Sequence, residues 1–326
     1  MPEGIAEGIG ASVRRKEDRK FITGRGRYTD DINRAGQLHA FFVRSDVAHA
    51  KIKSVDIKKA AAMDGVAAVY TGQDIADDGV GGLICGWVVP NRDGSATHEP
   101  PHPILAKDKV RYVGDHVAMV VADSLATAQA AAELVNVTYE ELPAVVDLAS
   151  AATAAEIHDG MANNTYFDWE LGDEAATADA FSKAKHVVSA TLRNNRLIPN
   201  AMEPRAAVAE YDHIADSYVL HSTTQNPHLL RLVICAFVLN IPESKMQIVA
   251  PDVGGGFGSK IYLYAEEACC TWASKKLRRP IKWTADRTQA FLSDAHGRDH
   301  INNVQMALDD NNKIIGLRVE DRKSVV

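Results

Sequence analysis

Short apolar, β-branched runs alternate with helix-like segments along the first half of this chain. Residues 38–43 and 66–70 are runs of that kind bounded by polar turns, which predicts strands. Between them 55–63 carries Lys-Lys-Ala-Ala-Ala and stops at Asp64-Gly65, which predicts a helix. Residues 110–121 predict a strand broken at Gly114-Asp115. Ser124 predicts an N-cap for an Ala-rich helix over 125–135, and 137–146 a further strand. Residues 77–103 are rich in Gly, Asp, Asn and Pro and predict a long loop, a length that in compact domains serves function or motion.

Beyond a small, polar stretch at 148–165 the pattern changes. Thr177 predicts the cap of a short helix over 178–184, and 187–193, 206–211 and 217–222 alternate as antiparallel strands do. The last of these runs into Thr223-Thr224-Gln225-Asn226-Pro227. Asn226 suits an N-cap and Pro227 a first turn, so a helix is expected to about residue 239. An apolar run at 246–250 leads into Asp252-Val253-Gly254-Gly255-Gly256-Phe257-Gly258-Ser259-Lys260, and a helix is expected near Tyr262, over about 263–276. Strand patterns at 281–284, 304–308 and 314–319 close the chain. The expected organisation is α+β: a lead-in at 1–36, an α/β domain at 37–148, a linker at 149–165 and a second domain at 166–326.

Composition narrows the class. The chain has 326 residues, 46% apolar and 24% charged, with a net charge of −7. That charge argues against nucleic-acid binding. The basic lead-in (Arg14, Arg15, Lys16, Arg19, Lys20, Arg25, Arg27) is interrupted by Glu17-Asp18 and closed by Asp30-Asp31, so it is expected to be solvated or to face an interface. No run approaches the ~18 apolar residues of a membrane span. No apolar signal region follows the N-terminus, and Arg14-Arg15 runs into charge, so a cytoplasmic protein is expected. Cys85, Cys235, Cys269 and Cys270 lack metal-ligand spacing; the adjacent pair fits the apolar side of a helix.

The glycine loop holds the strongest candidate chemistry. Four glycines in five positions exceed what a plain turn needs, and they let backbone N–H groups approach a ligand. A helix start just downstream is expected to add unpaired donors and a positive dipole end. The competing reading is a tight turn seating a helix on a sheet. Neither standard nucleotide pattern fits: Gly258-Ser259-Lys260-Ile261 has the wrong order for a P-loop, and Gly254-x-Gly256-x-Gly258 lacks the dinucleotide spacing and its downstream carboxylate. Gln225 stands at a second strand–loop–helix corner of the same plan, free either to meet a ligand or to bond locally. His296 and His300 have i, i+4 spacing, but Gly297 is poor in a helix and occupies the Glu position of a zinc peptidase motif. Glu140-Glu141 is expected to be a solvated strand end.

Several ordered motifs together resemble one family. They are Arg14 through Asp31, His49-Ala50-Lys51-Ile52, Val110-Arg111-Tyr112-Val113-Gly114-Asp115, Met202-Glu203-Pro204-Arg205, Thr224-Gln225-Asn226-Pro227 and Val253 through Lys260. This series is similar to the molybdopterin-binding large subunit of the xanthine dehydrogenase / aldehyde oxidase / aerobic carbon monoxide dehydrogenase family. The resemblance implies an α/β hammerhead domain followed by the first part of the molybdopterin-cofactor-binding domain, with mixed sheets and packed helices. It implies a molybdenum–molybdopterin cofactor in its cytosine dinucleotide form, touched by Gln225, Gly255, Gly256, Phe257 and Gly258, with Ile261 facing substrate. The implied activity is hydroxylation of carbon monoxide, an aldehyde or an N-heterocycle through a metal-generated nucleophile. Electrons would leave through 2Fe-2S clusters to FAD on an iron–sulfur small subunit and an FAD-binding medium subunit, in a dimer of heterotrimers. Ile261 stands where purine-oxidising members place a Glu, which argues against a purine. The family's base Glu is expected beyond residue 326, which leaves no catalytic residue here and implies that the chain alone is inactive. Asp321-Arg322-Lys323-Ser324-Val325-Val326 departs from what continues that strand in the family, so a truncated reading frame or a piece of a split subunit is expected. The alternative is an inactive fragment, or an assembly or binding protein that retains the fold.

Overall fold

The computed structural model describes residues 8–86 and 88–324. The readings that fall on residues 1–7, Trp87 and Val325-Val326 lie outside the described residues.

One seven-stranded sheet crosses most of the molecule. Its strands run in the order Met246–Val249, Ser217–Ser222, Ala206–Asp212, Ile281–Thr284, Leu38–Arg44, His116–Ala122, Val66–Thr71. Three come from before residue 149 and four from after 165. They join where Leu38–Arg44 pairs in parallel with Ile281–Thr284, Leu38 opposite Ile281. His116–Ala122 is buried at every position, as its unbroken apolar run demands of a strand covered on both faces. Helix Leu125–Ala132 packs on one side, capped as expected by Ser124, whose side chain accepts from Thr127 N. Helix Ala265–Leu277 lies against Ala206–Asp212 and buries Cys269 and Cys270. Phe42, Leu38, Met119, Leu220, Ile281 and Trp283 fill the core, and Phe42 meets Trp283 edge-on at 6.0 Å. Burial of each such side chain contributes about 1.5–3 kcal/mol.

Two three-stranded sheets flank this body. One orders Lys109–Val110, Ala50–Asp56 and Asn136–Glu141; the other orders Ile314–Lys323, His300–Leu308 and His186–Asn194. Among the described residues no helix is long and apolar enough to cross a membrane.

Several expectations are corrected. The helix expected over 55–63 is present but shorter, a single turn at Lys58–Ala61, and Val55 and Asp56 instead end a strand, Ala50–Asp56. Lys58-Lys59-Ala60-Ala61 keep their helical preference, while pairing with Asn136–Glu141 takes Val55 and Asp56 into the strand. The short helix is Glu174–Ser182, capped by Asp173 rather than Thr177, because the Asp173 carboxylate accepts from Ala176 N at 2.8 Å. The helix after Pro227 runs as α to Val233 and then as a π-turn over Ile234–Val238. Inside the long loop Gly82–Leu83 pairs with His102–Pro103. Helices Asp18–Ile22, Gly72–Asp77 and Arg287–Ser293 had no counterpart in the expected elements. Glu140 lies exposed and pairs with Lys51 and Lys53.

Candidate functional site

Two strand–loop–helix corners meet. Ser217–Ser222 and Met246–Val249 are parallel neighbours, Leu220 opposite Ile248, so the segments leaving their carboxyl ends emerge side by side. Such ends of parallel strands are where α/β proteins place ligands. Gln225 leaves the first strand and the glycine loop the second. They touch: Gln225 Oε1 accepts from Gly258 N at 3.0 Å and Lys260 N at 3.2 Å, and Gln225 N donates to Lys260 O at 2.8 Å. Because both side-chain bonds come from N–H donors, the amide oxygen must face the loop, which leaves the Gln225 NH2 group as an outward donor.

The loop itself is bowed. Gly255, Phe257 and Gly258 have φ of +95°, +52° and +92°. For Phe257 this region costs about 1–3 kcal/mol, and its ring is nonetheless 74% exposed. The ring covers Gly255, where an added Cβ would lie 2.8 Å from Phe257 Cε2. A Cβ on Gly256 would collide with the Gln225 side chain, while Gly258 faces open space. Among the described residues no acceptor meets the amides of Gly255, Gly256 and Phe257. Consecutive free N–H groups on backbone of mixed handedness are donors of the kind that meet an anionic or oxygen-rich group. Ile261 is half-buried just past the loop.

The helix contributes less than its place in the sequence suggests. It starts at Ala265, not near Tyr262, and its first turn carries buried Glu266 and Glu267. Glu267 bonds Tyr264 N at 3.0 Å, so this end is closed by its own carboxylates and offers no anion site. Burial raises the Glu267 carboxyl to about 7.

Residues that the expected site omitted hold the loop from below. Glu203 Oε2 accepts from Gly254 N at 2.6 Å and lies 3.2 Å from Lys260 Nζ. Tyr264 donates its hydroxyl hydrogen to Ser259 O, and the Arg205 guanidinium lies 3.7 Å from the Tyr264 ring centre. Arg205 is itself held by Glu266 at 2.9 and 3.0 Å and Asp294 at 2.6 Å. Glu266 also accepts from Arg44 at 2.7 Å, which ties the loop's support to the first half of the chain. Burial alone would raise the Glu266 carboxyl, but the Arg205 and Arg44 guanidiniums outweigh it and hold it well below the carboxylate range. His116 is pushed down to about 4 by burial and by Arg44, so its Nε2 accepts from Arg44 at 2.7 Å. The signal for this cluster was in the sequence: Glu266-Glu267 inside an apolar helix pattern demands buried cationic or hydrogen-bonding partners.

The lead-in also reaches the loop. Lys20 pairs with Asp252, Arg27 N donates to the same carboxylate at 2.7 Å, and Tyr28 bridges to Asp252. His296 and His300 do not converge on a common ligand; His300 pairs with Asp321 at 2.9 Å.

This geometry agrees with sequence comparison. The chain matches the molybdopterin cofactor-binding domain over residues 157–323 and the aldehyde oxidase and xanthine dehydrogenase a/b hammerhead domain over residues 23–143. The chain belongs to the molybdopterin-binding aldehyde oxidase and xanthine dehydrogenase family. It is 36% identical over 310 residues to the nicotine 6-hydroxylase large subunit of Paenarthrobacter nicotinovorans, covering 95% of this chain and 37% of that protein. It is 37% identical over 318 residues to the carbon monoxide dehydrogenase large chain of Hydrogenophaga pseudoflava, covering 93% and 38%. The solved quinoline 2-oxidoreductase of Pseudomonas putida 86 superposes with a TM-score of 0.85 at 36% identity, over 98% of this chain and 40% of that one. The chain therefore spans about two fifths of the length of these relatives.

Proposed function

We propose that this chain builds the first wall of the molybdopterin site in the large subunit of a molybdenum hydroxylase. The observation that carries this is the bowed glycine loop, with three consecutive free amides beside an exposed Phe257 and the outward NH2 of Gln225. The residues fit such a group: the amides of Gly255, Gly256 and Phe257, which meet no other acceptor among the described residues, would donate to it, exposed Phe257 would shield it from water, and open space at Gly258 would allow close approach. Ile261 presents an apolar side toward substrate and provides no carboxylate to pair with a purine. The chemistry supplied by the bound group is Lewis-acid and redox chemistry at the metal. The base Glu belongs to sequence outside this chain. We assign 37–148 to the hammerhead unit, 149–165 to a linker and 166–326 to the first portion of the cofactor-binding unit.

The complete subunit acts in the cytoplasm on a small substrate, carbon monoxide, an aldehyde or an N-heterocycle. It carries the pterin as its cytosine dinucleotide and passes electrons to 2Fe-2S and FAD subunits in a dimer of heterotrimers. The names of the relatives, a nicotine hydroxylase and a carbon monoxide dehydrogenase, support this range of substrates. The test is co-purification of the chain with its neighbouring gene products, followed by metal analysis. Stoichiometric molybdenum is expected, and Gly256→Ala should abolish it, since its Cβ would displace Gln225. A wild-type complex without molybdenum would sink the assignment.

A further inference from the structure

We infer that Lys260 and Glu203 are positioning residues that clamp the glycine loop from inside, an inference that rests on the cofactor reading above. A lysine at the end of a glycine run invites assignment as a ligand for phosphate. Here it points the other way. Lys260 is 2% exposed, and its Nζ donates to Glu203 O at 2.8 Å and approaches Glu203 Oε2 at 3.2 Å. Its charge is spent beneath the loop and is absent from the face that carries the free amides.

The clamp closes both ends of the run. At the leading end Glu203 Oε2 takes Gly254 N at 2.6 Å, and Glu203 N donates to Gly254 O at 3.1 Å. A Cβ on Gly254 would lie 2.5 Å from Glu203 Cβ, so only glycine permits this approach. At the trailing end Gln225 holds Gly258 N, Lys260 N and Lys260 O. Lys260 thus joins the two fixings: its backbone belongs to the Gln225 end and its side chain to the Glu203 end. The three residues between, Gly255 to Phe257, are fixed at both ends: Gly256 is buried, its carbonyl accepting from Ser259, and Phe257 projects into solvent. Glu203 Oε1 is buried without a partner, so Lys260 is the cation that compensates this carboxylate, and removing either member leaves an uncompensated buried charge or donor.

The test follows amide hydrogen exchange in the full chain, alone and in the assembled complex, for Lys260→Met, Glu203→Gln and the double variant. The informative amides are Gly258 and Lys260, which bond Gln225 and not the ion pair. In either single variant they should exchange about tenfold faster, the loss of roughly one hydrogen bond's worth of local protection. Helix Ala265–Leu277 should exchange as in wild type. The double variant should be no worse than the worse single one, and molybdenum content of the complex should fall in all three. Unchanged exchange at Gly258 and Lys260, or equal acceleration in the helix, would overturn the clamp. The exchange result decides it even if the wild-type complex holds no molybdenum, an outcome that counts against the cofactor reading instead.

Discussion

The seven-stranded sheet and the outer sheet of His186–Asn194, His300–Leu308 and Ile314–Lys323 both carry rows of apolar side chains, yet the molecule covers those rows differently. In the first, helices Leu125–Ala132 and Ala265–Leu277 lie against the strands, and Val120, Leu220 and Ile281 are wholly buried. In the second, helix Glu174–Ser182 packs on one face near Gly316, with Arg318 over the Phe181 ring. The register puts Val188, Met306 and Leu317 in one row and Ala190, Val304 and Val319 in the next, all on the opposite face. There Val188, Leu317 and Val319 remain 56, 55 and 52% exposed. An alternating pattern therefore reports which face is meant to be covered, and not that the same segment supplies the cover. A face of this kind marks an interaction surface.

The largest effect that would break this contrast lies in the ion network under the covered sheet. Arg205→Leu strands Glu266 and Asp294 without their shared cation, and urea unfolding should show a loss of about 3–5 kcal/mol. A loss below about 1 kcal/mol would mean that Arg205 does not hold this network together. Next, the same substitution can be made in both sheets. Val120→Thr should cost about 1–3 kcal/mol by burying a hydroxyl, whereas Val319→Thr should stay within about 0.5 kcal/mol in denaturant titrations. Equal costs would erase the distinction.

A third prediction uses pH. Burial raises the Glu267 carboxyl from 4.5 to about 7, against the hydrogen bonds from Ser222 and Tyr264 N and the attraction of Arg205. A raised folded-state value means that the native state holds this proton more tightly. Its stabilising contribution is complete below 4.5 and lost as pH rises through about 7. Glu267→Gln should therefore gain on wild type between pH 5 and 8, by about 1–3 kcal/mol in denaturant titrations. A pH-independent difference would show that Glu267 is ionised throughout. The smallest effect expected at the candidate site is that of Phe257→Gly. It relieves an unfavourable φ but frees the unfolded chain, so stability should move by no more than about 1 kcal/mol while molybdenum content falls. A large loss of stability would make Phe257 a packing residue.

Much of the site's outline was visible in the sequence. The strand Ser217–Ser222, the Asn226 cap, the apolar run into the glycine loop and the strand Ile281–Thr284 all follow from local pattern and turn chemistry. The strand Ala50–Asp56 was missed because a bulge between Ile52 and Ser54 breaks its alternation. Thr177 was preferred to Asp173 because helix start signals recur every few residues and only the hydrogen bond distinguishes them.

What the sequence by itself determined is local: where the chain turns, where glycines gather, and the order of motifs that assigns the family. Tertiary structure alone decided that the corner bearing Gln225 lies beside the glycine loop, that Lys260 turns inward, and that Glu266 joins Arg205, in the loop's support, to Arg44. The partners are 33 residues apart for Gln225 and Gly258, 57 for Lys260 and Glu203, and 222 for Arg44 and Glu266. No periodicity or turn rule reaches across such separations. Which buried charge finds which partner is set by the packing of strands into one sheet, where desolvation makes an unpaired ion costly.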